Sequence, residues 1–192
     1  MMPVVPDCGH DVACVFPSEI GRQALFNNTT KQTKADMDKI DKQILAILQE
    51  DATVAVAEIA EKVNLSSTPC WRRIQKLEEE GYLMRRVALL DPQKLNVGVT
   101  VFVSIKTNQH NAAWYAQFSA AVQLIPEVVE FYRMSGHIDY LLRIVVPNIA
   151  AYDKVYQKLT QSNALFDVSA SFAMEQIKHT TALPLGYIDG SN

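Results

Sequence analysis

The chain has 192 residues, 48% hydrophobic and 20% charged, enough to bury a core in one or two small domains. No uncharged stretch reaches the roughly 18 apolar residues of a membrane helix, and the amino terminus, with Asp7, His10 and Asp11, lacks the basic segment and long apolar run of a secretory signal. A formal net charge of -3 speaks against a broad nucleic-acid coat while leaving room for a local basic surface, and three cysteines without scaffold spacing fit a reducing compartment, so the cytoplasm is the expected location.

Residues 1–36 scatter Pro, Gly, Asn and Thr without a sustained period and close on the polar run 27–34. They read as a disordered tail or as an upstream start wrongly assigned, because Met37 opens the first well-patterned segment. Cys8, His10 and Cys14 lack the second paired half of a metal site, so neither a metal nor any other cofactor is expected.

From residue 37 the period becomes helical. Ile40, Ile44, Ile47 and Leu48 form one stripe, and Asp38 is the expected cap. A short helix follows at 56–63, its cap position held by the poor capping residue Ala55. Asn64 suits a left-handed turn, Leu65 plugs inward, and Ser66 is the expected cap of a third helix, whose first turn tolerates Pro69 and whose end is Gly81. Helix, helix, tight turn, helix is the arrangement by which one helix braces another that projects into a groove.

On the third helix Cys70, Ile74 and Leu77 form the inward stripe. This leaves Ser67, Thr68, Trp71, Arg72, Arg73, Gln75 and Lys76 on the remaining surface, with donors and cations near the start, where a recognition helix meets bases and phosphates. Arg73 and Lys76 have a second reading as solvated residues paired with Glu79 and Glu80, and Trp71 has one as a packing residue. Arg85 and Arg86 lie in a segment expected to be extended over 82–90, placed either for phosphates or for solubility.

Beyond Asp91-Pro92, Val99, Val101, Val103 and Ile105 alternate with Thr100, Phe102, Ser104 and Lys106, the period of a two-faced strand. A helix is expected at 111–124, strands at 128–135 and 138–146 joined at Gly136, a helix at 149–161 and a last strand at 168–178. This order gives an α+β, ferredoxin-like βαββαβ sandwich, one antiparallel sheet with two helices on one face. Apolar residues on both sides of the first strand imply that a second copy of the chain covers the other face.

The run Leu65-Ser66-Ser67-Thr68-Pro69-Cys70-Trp71-Arg72-Arg73-Ile74-Gln75-Lys76-Leu77-Glu78 resembles the recognition-helix signature of the Lrp/AsnC, or feast/famine, family. Ser135-Gly136-His137-Ile138-Asp139-Tyr140-Leu141-Leu142 is similar to the family's turn between the middle strands of its sensing domain. Thr68-Pro69-Cys70-Trp71, Val87-Ala88-Leu89-Leu90-Asp91-Pro92 and Ser171-Phe172-Ala173-Met174-Glu175-Gln176-Ile177-Lys178 look most like the cysteine-detoxification subgroup.

The resemblance implies a winged helix-turn-helix at 37–82, a connector at 83–96, an ACT-like dimerisation and effector-sensing domain at 97–187 and a short tail at 188–192. It implies double-stranded operator DNA and a small amino acid, cysteine among them, as partners, and a dimer that assembles into a tetramer or octamer. Met134, Ser135, Gly136, His137 and Asp139, with Ser171, become the effector candidates. Gly136 permits close backbone approach and Asp139 offers a carboxylate to an ammonium group; read from the residues alone, the two only shape a hairpin. Sirohaem decarboxylases share the architecture and supply the enzyme alternative, yet His110, His137 and His179 stand apart in ordinary patterns and form no evident active site, so no catalytic residue is expected.

Deleting residues 1–36 is expected to leave folding, dimerisation and operator affinity unchanged, since the segment offers no periodic face to a core. A fall of several degrees in the thermal midpoint of the truncated protein would show that the tail packs.

Overall fold

The computed structural model describes residues 37–161, 165 and 167–188; the expectations for the amino-terminal tail, including Cys8, His10 and Cys14, fall outside these residues. The first unit comprises α1 (Lys39–Glu50), α2 (Val56–Lys62) and α3 (Ser67–Glu79). Asp38 caps α1 by accepting the Asp41 amide at 2.8 Å. Ala55 at the head of α2 makes no side-chain cap, as its chemistry requires.

Ser66 occupies the cap position of α3 but makes no side-chain cap bond, contrary to expectation. Pro69 stands at the third helical position and has no N–H, which removes one of the two amides that a cap serine can receive. The helix instead starts from the Ser66 carbonyl, which accepts the Cys70 amide at 3.2 Å.

Both α2 and α3 end in left-handed residues, Asn64 at φ 56° and Gly81 at φ 78°. The next amide reaches back five residues in each case, Leu65 to Ala60 and Tyr82 to Leu77, both at 2.9 Å. These closures turn Leu65 and Leu83 onto a core of Ile44, Leu45, Leu48, Ile59, Ala60, Val63, Cys70, Ile74 and Leu77. Residues 84–90, expected to be extended, form no ladder, and Met84 is 88% exposed there.

The second unit contains β1 (Val99–Lys106), α4 (Ala112–Gln123), β2 (Val128–Arg133), β3 (Tyr140–Val146), α5 (Ile149–Gln161) and β4 (Asp167–Phe172). The strands form one sheet in the order β2-β3-β1-β4, with every neighbouring pair antiparallel. Val101, Val103 and Ile105 of β1 lie level with Ile144, Leu142 and Tyr140 of β3. With Phe118 and Val122 of α4 and Val155 and Leu159 of α5 they close the sandwich core.

The turn between β2 and β3 is wider than expected, because the Met134 amide donates to the Asp139 carbonyl at 2.8 Å and leaves 135–138 as a loop. β4 stops at Phe172 rather than continuing to 178. Its partner β1 begins at Val99, so after the Ala173 amide has bonded the Thr100 carbonyl no ladder remains to extend. The chain then returns to the first unit, where the Leu183 amide donates to Gln49 Oε1 at 2.9 Å and Leu185, in a single 3-10 turn (Leu185–Tyr187), packs against the helical core. The segment assigned to the sensing unit from sequence thus ends on the other one.

Phe118, fully buried and in edge contact with Phe131 at 5.6 Å, is the largest of the fully buried side chains. Phe118→Ala is expected to destabilise the sandwich by about 3–5 kcal/mol through lost burial and the cavity left behind, measurable by urea titration. A loss below about 1 kcal/mol would show that this core collapses freely around the vacancy.

Candidate nucleic-acid interface and effector turn

The inward stripe of α3 fixes which residues face out. Ser67, Thr68, Arg72 and Lys76 are exposed, Trp71 is 52% exposed, and Gln75 is half-buried. Trp71 therefore packs only partly, and its indole stands among the cations. Arg72 makes no ion pair among the described residues, while Gln75 Nε2 donates to Glu78 Oε2 at 3.1 Å. Lys76 pairs loosely with Glu80 at 3.7 Å, the lysine end largely in water, a contact worth about a few tenths of a kcal/mol. Arg86 folds back on Glu78 at 2.9 Å, whereas Arg85 is exposed without an ion pair among the described residues.

Arg73 departs from the reading that pairs it with a glutamate of its own helix. Its Nη1 lies 2.7 Å from Asp38 Oδ2 and 2.7 Å from Asp41 Oδ1, so its partners are these two carboxylates and not Glu79. Its guanidinium is held by the start of α1. The Asp41 and Asp38 hydrogen bonds stabilise its charged form and raise its pKa. Asp38 is shifted down, chiefly by the Asp41 amide, against an opposing cost of burial and with further help from Arg73. Sequence reading took Asp41 only as an acidic residue of the first turn supporting the cap and missed its pairing with Arg73, although its position carried a signal. It shares a stripe with Ile44, Leu45 and Leu48, and a carboxylate on a buried stripe requires a cation. Asp38, Asp41, Arg72, Arg73 and Lys76 line one open depression of about 370 Å³.

At the other end of the molecule Met134, Ser135, Gly136 and His137 are exposed in the β2–β3 loop, and Gly136 has φ 127°, a conformation that L side chains avoid. Asp139 Oδ2 accepts the Thr107 amide at 2.8 Å, and the Asp139 amide donates to the Ile105 carbonyl at 2.9 Å. The side chain thus anchors the end of β1 to the start of β3, the local role that the residues alone suggested, with Oδ1 unbonded among the described residues. Ser171 is exposed opposite Phe102, three rows along β1 from the Ile105 end, about 10 Å by strand rise. A single copy does not bring Ser171 to the turn. His110, His137 and His179 are all exposed.

The sheet face away from the helices carries Thr100, Phe102, Leu141 and Val145 beside a polar network. In it Arg143 Nε donates to Glu130 Oε1 at 2.8 Å and Tyr132 Oη donates to Glu130 Oε2 at 2.9 Å. The Arg143 hydrogen bond leads in lowering the Glu130 pKa, and the Glu130 bond raises that of Tyr132. Phe102 is 39% exposed and Tyr132 49%, aromatic area that one copy leaves in water.

Comparison with known proteins accounts for both units. Residues 37–84 match the model of a winged helix-turn-helix DNA-binding domain, and 100–183 match that of the Lrp/AsnC ligand binding domain. The chain is 50% identical over 150 residues to the DNA-binding transcriptional activator DecR of Escherichia coli K12, covering 78% of this chain and 99% of that protein. An AsnC family transcriptional regulator from Agrobacterium tumefaciens superimposes with a TM-score of 0.76 at 63% identity, covering 79% of this chain and 99% of its own. A transcriptional regulator from Neisseria meningitidis, solved as an L-Met complex, gives 0.75 at 34% identity, covering 79% and 98%. These relatives are regulators, and the decarboxylase alternative finds no support among them. A helix-turn-helix presenting cations in front of a ligand-binding sandwich belongs, in this chain, to a DNA-binding transcription regulator of the Lrp/AsnC family.

Proposed function

We propose that α3 enters the major groove of double-stranded operator DNA. Thr68, Arg72 and Gln75 meet base edges, Ser67 and Trp71 lie beside them, and Lys76, Arg85 and Arg86 meet phosphates. The exposed start of α3, held from behind by Cys70, Ile74 and Leu77, carries this reading. Arg72 is the natural base reader, since it has no competing carboxylate among the described residues and its fork matches guanine O6 and N7. Such work belongs in the cytoplasm; no helix among the described residues is long and apolar enough to cross a membrane.

The effector on this reading is a small amino acid, cysteine among the candidates, taken up where copies of the chain meet. The Neisseria relative's L-Met complex supports the ligand class. The exposed aromatic area of the open sheet face supports a homodimer, and further assembly to a tetramer or octamer brings loops of neighbouring dimers together. Met134, Ser135, Gly136, His137 and Asp139 are the proposed ligand contacts, with Ser171 reaching the ligand from another copy. Because equal affinity for two states shifts nothing, the amino acid must bind one assembly or orientation of the helix-turn-helix units more tightly than another.

Arg72→Ala is expected to weaken operator binding by about 1–3 kcal/mol and binding to random DNA by less, as read by fluorescence anisotropy on both duplexes. Equal losses would move Arg72 among the phosphate contacts.

For the effector, Asp139→Asn is the informative change, because the amide oxygen still accepts the Thr107 N–H while the charge is gone. The variant should melt like the wild type, bind operator DNA normally, and lose about tenfold or more in amino-acid affinity. Calorimetry across cysteine, methionine and other amino acids measures this, and undiminished binding would exclude Asp139 as the ammonium partner.

A further inference from the structure

Beside the exposed cations of α3 stands a set of charges that DNA reading as described above leaves unused. Arg73 lies two turns into α3 and holds, through one nitrogen, both Asp38 and Asp41 at 2.7 Å. The second oxygen of Asp38 is committed to the Asp41 amide at 2.8 Å, so cap, carboxylate pair and guanidinium form one connected group at the α1–α3 contact. Asp41 has a side chain only 8% exposed, and the removal of its cation would leave a carboxylate stranded against the helical core. The same group lines the depression that Arg72 and Lys76 share.

We propose that Arg73 is a positioning residue for DNA recognition. It clamps α3 to the first turn of α1 and fixes the angle at which Arg72 and Lys76 are presented, without itself touching a phosphate. The inference rests on α3 being the helix that reads DNA.

The clamp and a direct phosphate contact predict opposite signs at the carboxylates. If Arg73 met phosphate, Asp38 and Asp41 would be its competitors, and their neutralisation would strengthen binding. For a clamp, Asp41→Asn and Asp38→Asn both weaken operator binding, by about three- to tenfold. Asp38→Asn is the safer variant for folding, because asparagine caps a helix as well as aspartate does. Arg73→Gln should weaken operator binding at least as much while leaving the slope of log affinity against log salt at its wild-type value. Arg73→Gln combined with Asp41→Asn should be no worse than Arg73→Gln alone. Arg73→Lys, keeping the charge but not the reach to two carboxylates, should restore part of the affinity.

Tighter DNA binding by either Asp variant, or a salt slope shallower by about one in Arg73→Gln, would overturn the clamp and return Arg73 to the phosphates. Arg72→Ala, measured in parallel, separates the two readings. If it binds operator normally, α3 does not read DNA and both fail, whereas a loss there with strengthened Asp variants defeats the clamp alone.

Discussion

The alternation of β1 is the constraint on which the rest of the molecule depends. Val101, Val103 and Ile105 are fully buried under α4 and α5, while Phe102, Ser104 and Lys106 point to the other face because the pleat leaves them no choice. β1 is also central, paired with β3 on one side and β4 on the other. A strand so placed commits the sheet to one dry face and one face whose aromatic area needs a cover. The dry core face and the open aromatic face therefore arise from the same period of two residues.

Charge placement in the helix-turn-helix follows a comparable division of labour. The formal charge of the chain is negative, yet the exposed start of α3 carries Arg72 and Lys76, and the acidic residues nearest to them are held by Arg73 or lie toward the helix end. Glu78 engages Gln75 and Arg86, and Glu80 engages Lys76. A local field that favours DNA is thus compatible with an acidic chain, because screening within about 8–10 Å makes the neighbours of a phosphate matter more than the total.

The two units are joined by more than the connector. After β4 the chain runs back to α1, where Gln49 receives the Leu183 amide and Leu185 joins the helical core. β4 carries Ser171, so the segment that leaves a proposed effector contact ends against the unit that presents α3. About a dozen residues link the end of β4 to the helical core.

The sequence by itself determined the elements. Period and punctuation specify three helices with Asn64 and Gly81 at their ends, the βαββαβ order, and the inward stripe Cys70, Ile74 and Leu77, since these depend on neighbours within a few residues. The family resemblance was legible for the same reason, in the short run around Thr68-Pro69-Cys70 and in the loop at Gly136. What only the tertiary structure decided depends on partners remote in sequence. Arg73 finds Asp38 and Asp41 across more than thirty residues, a pairing that no helical spacing contains. β4 ends where β1 has no further carbonyl to offer, although its own residues continue to favour a strand. Leu185 finds its place on a core more than a hundred residues away because burial of apolar area rewards any segment that reaches it, and only the folded chain shows which one does.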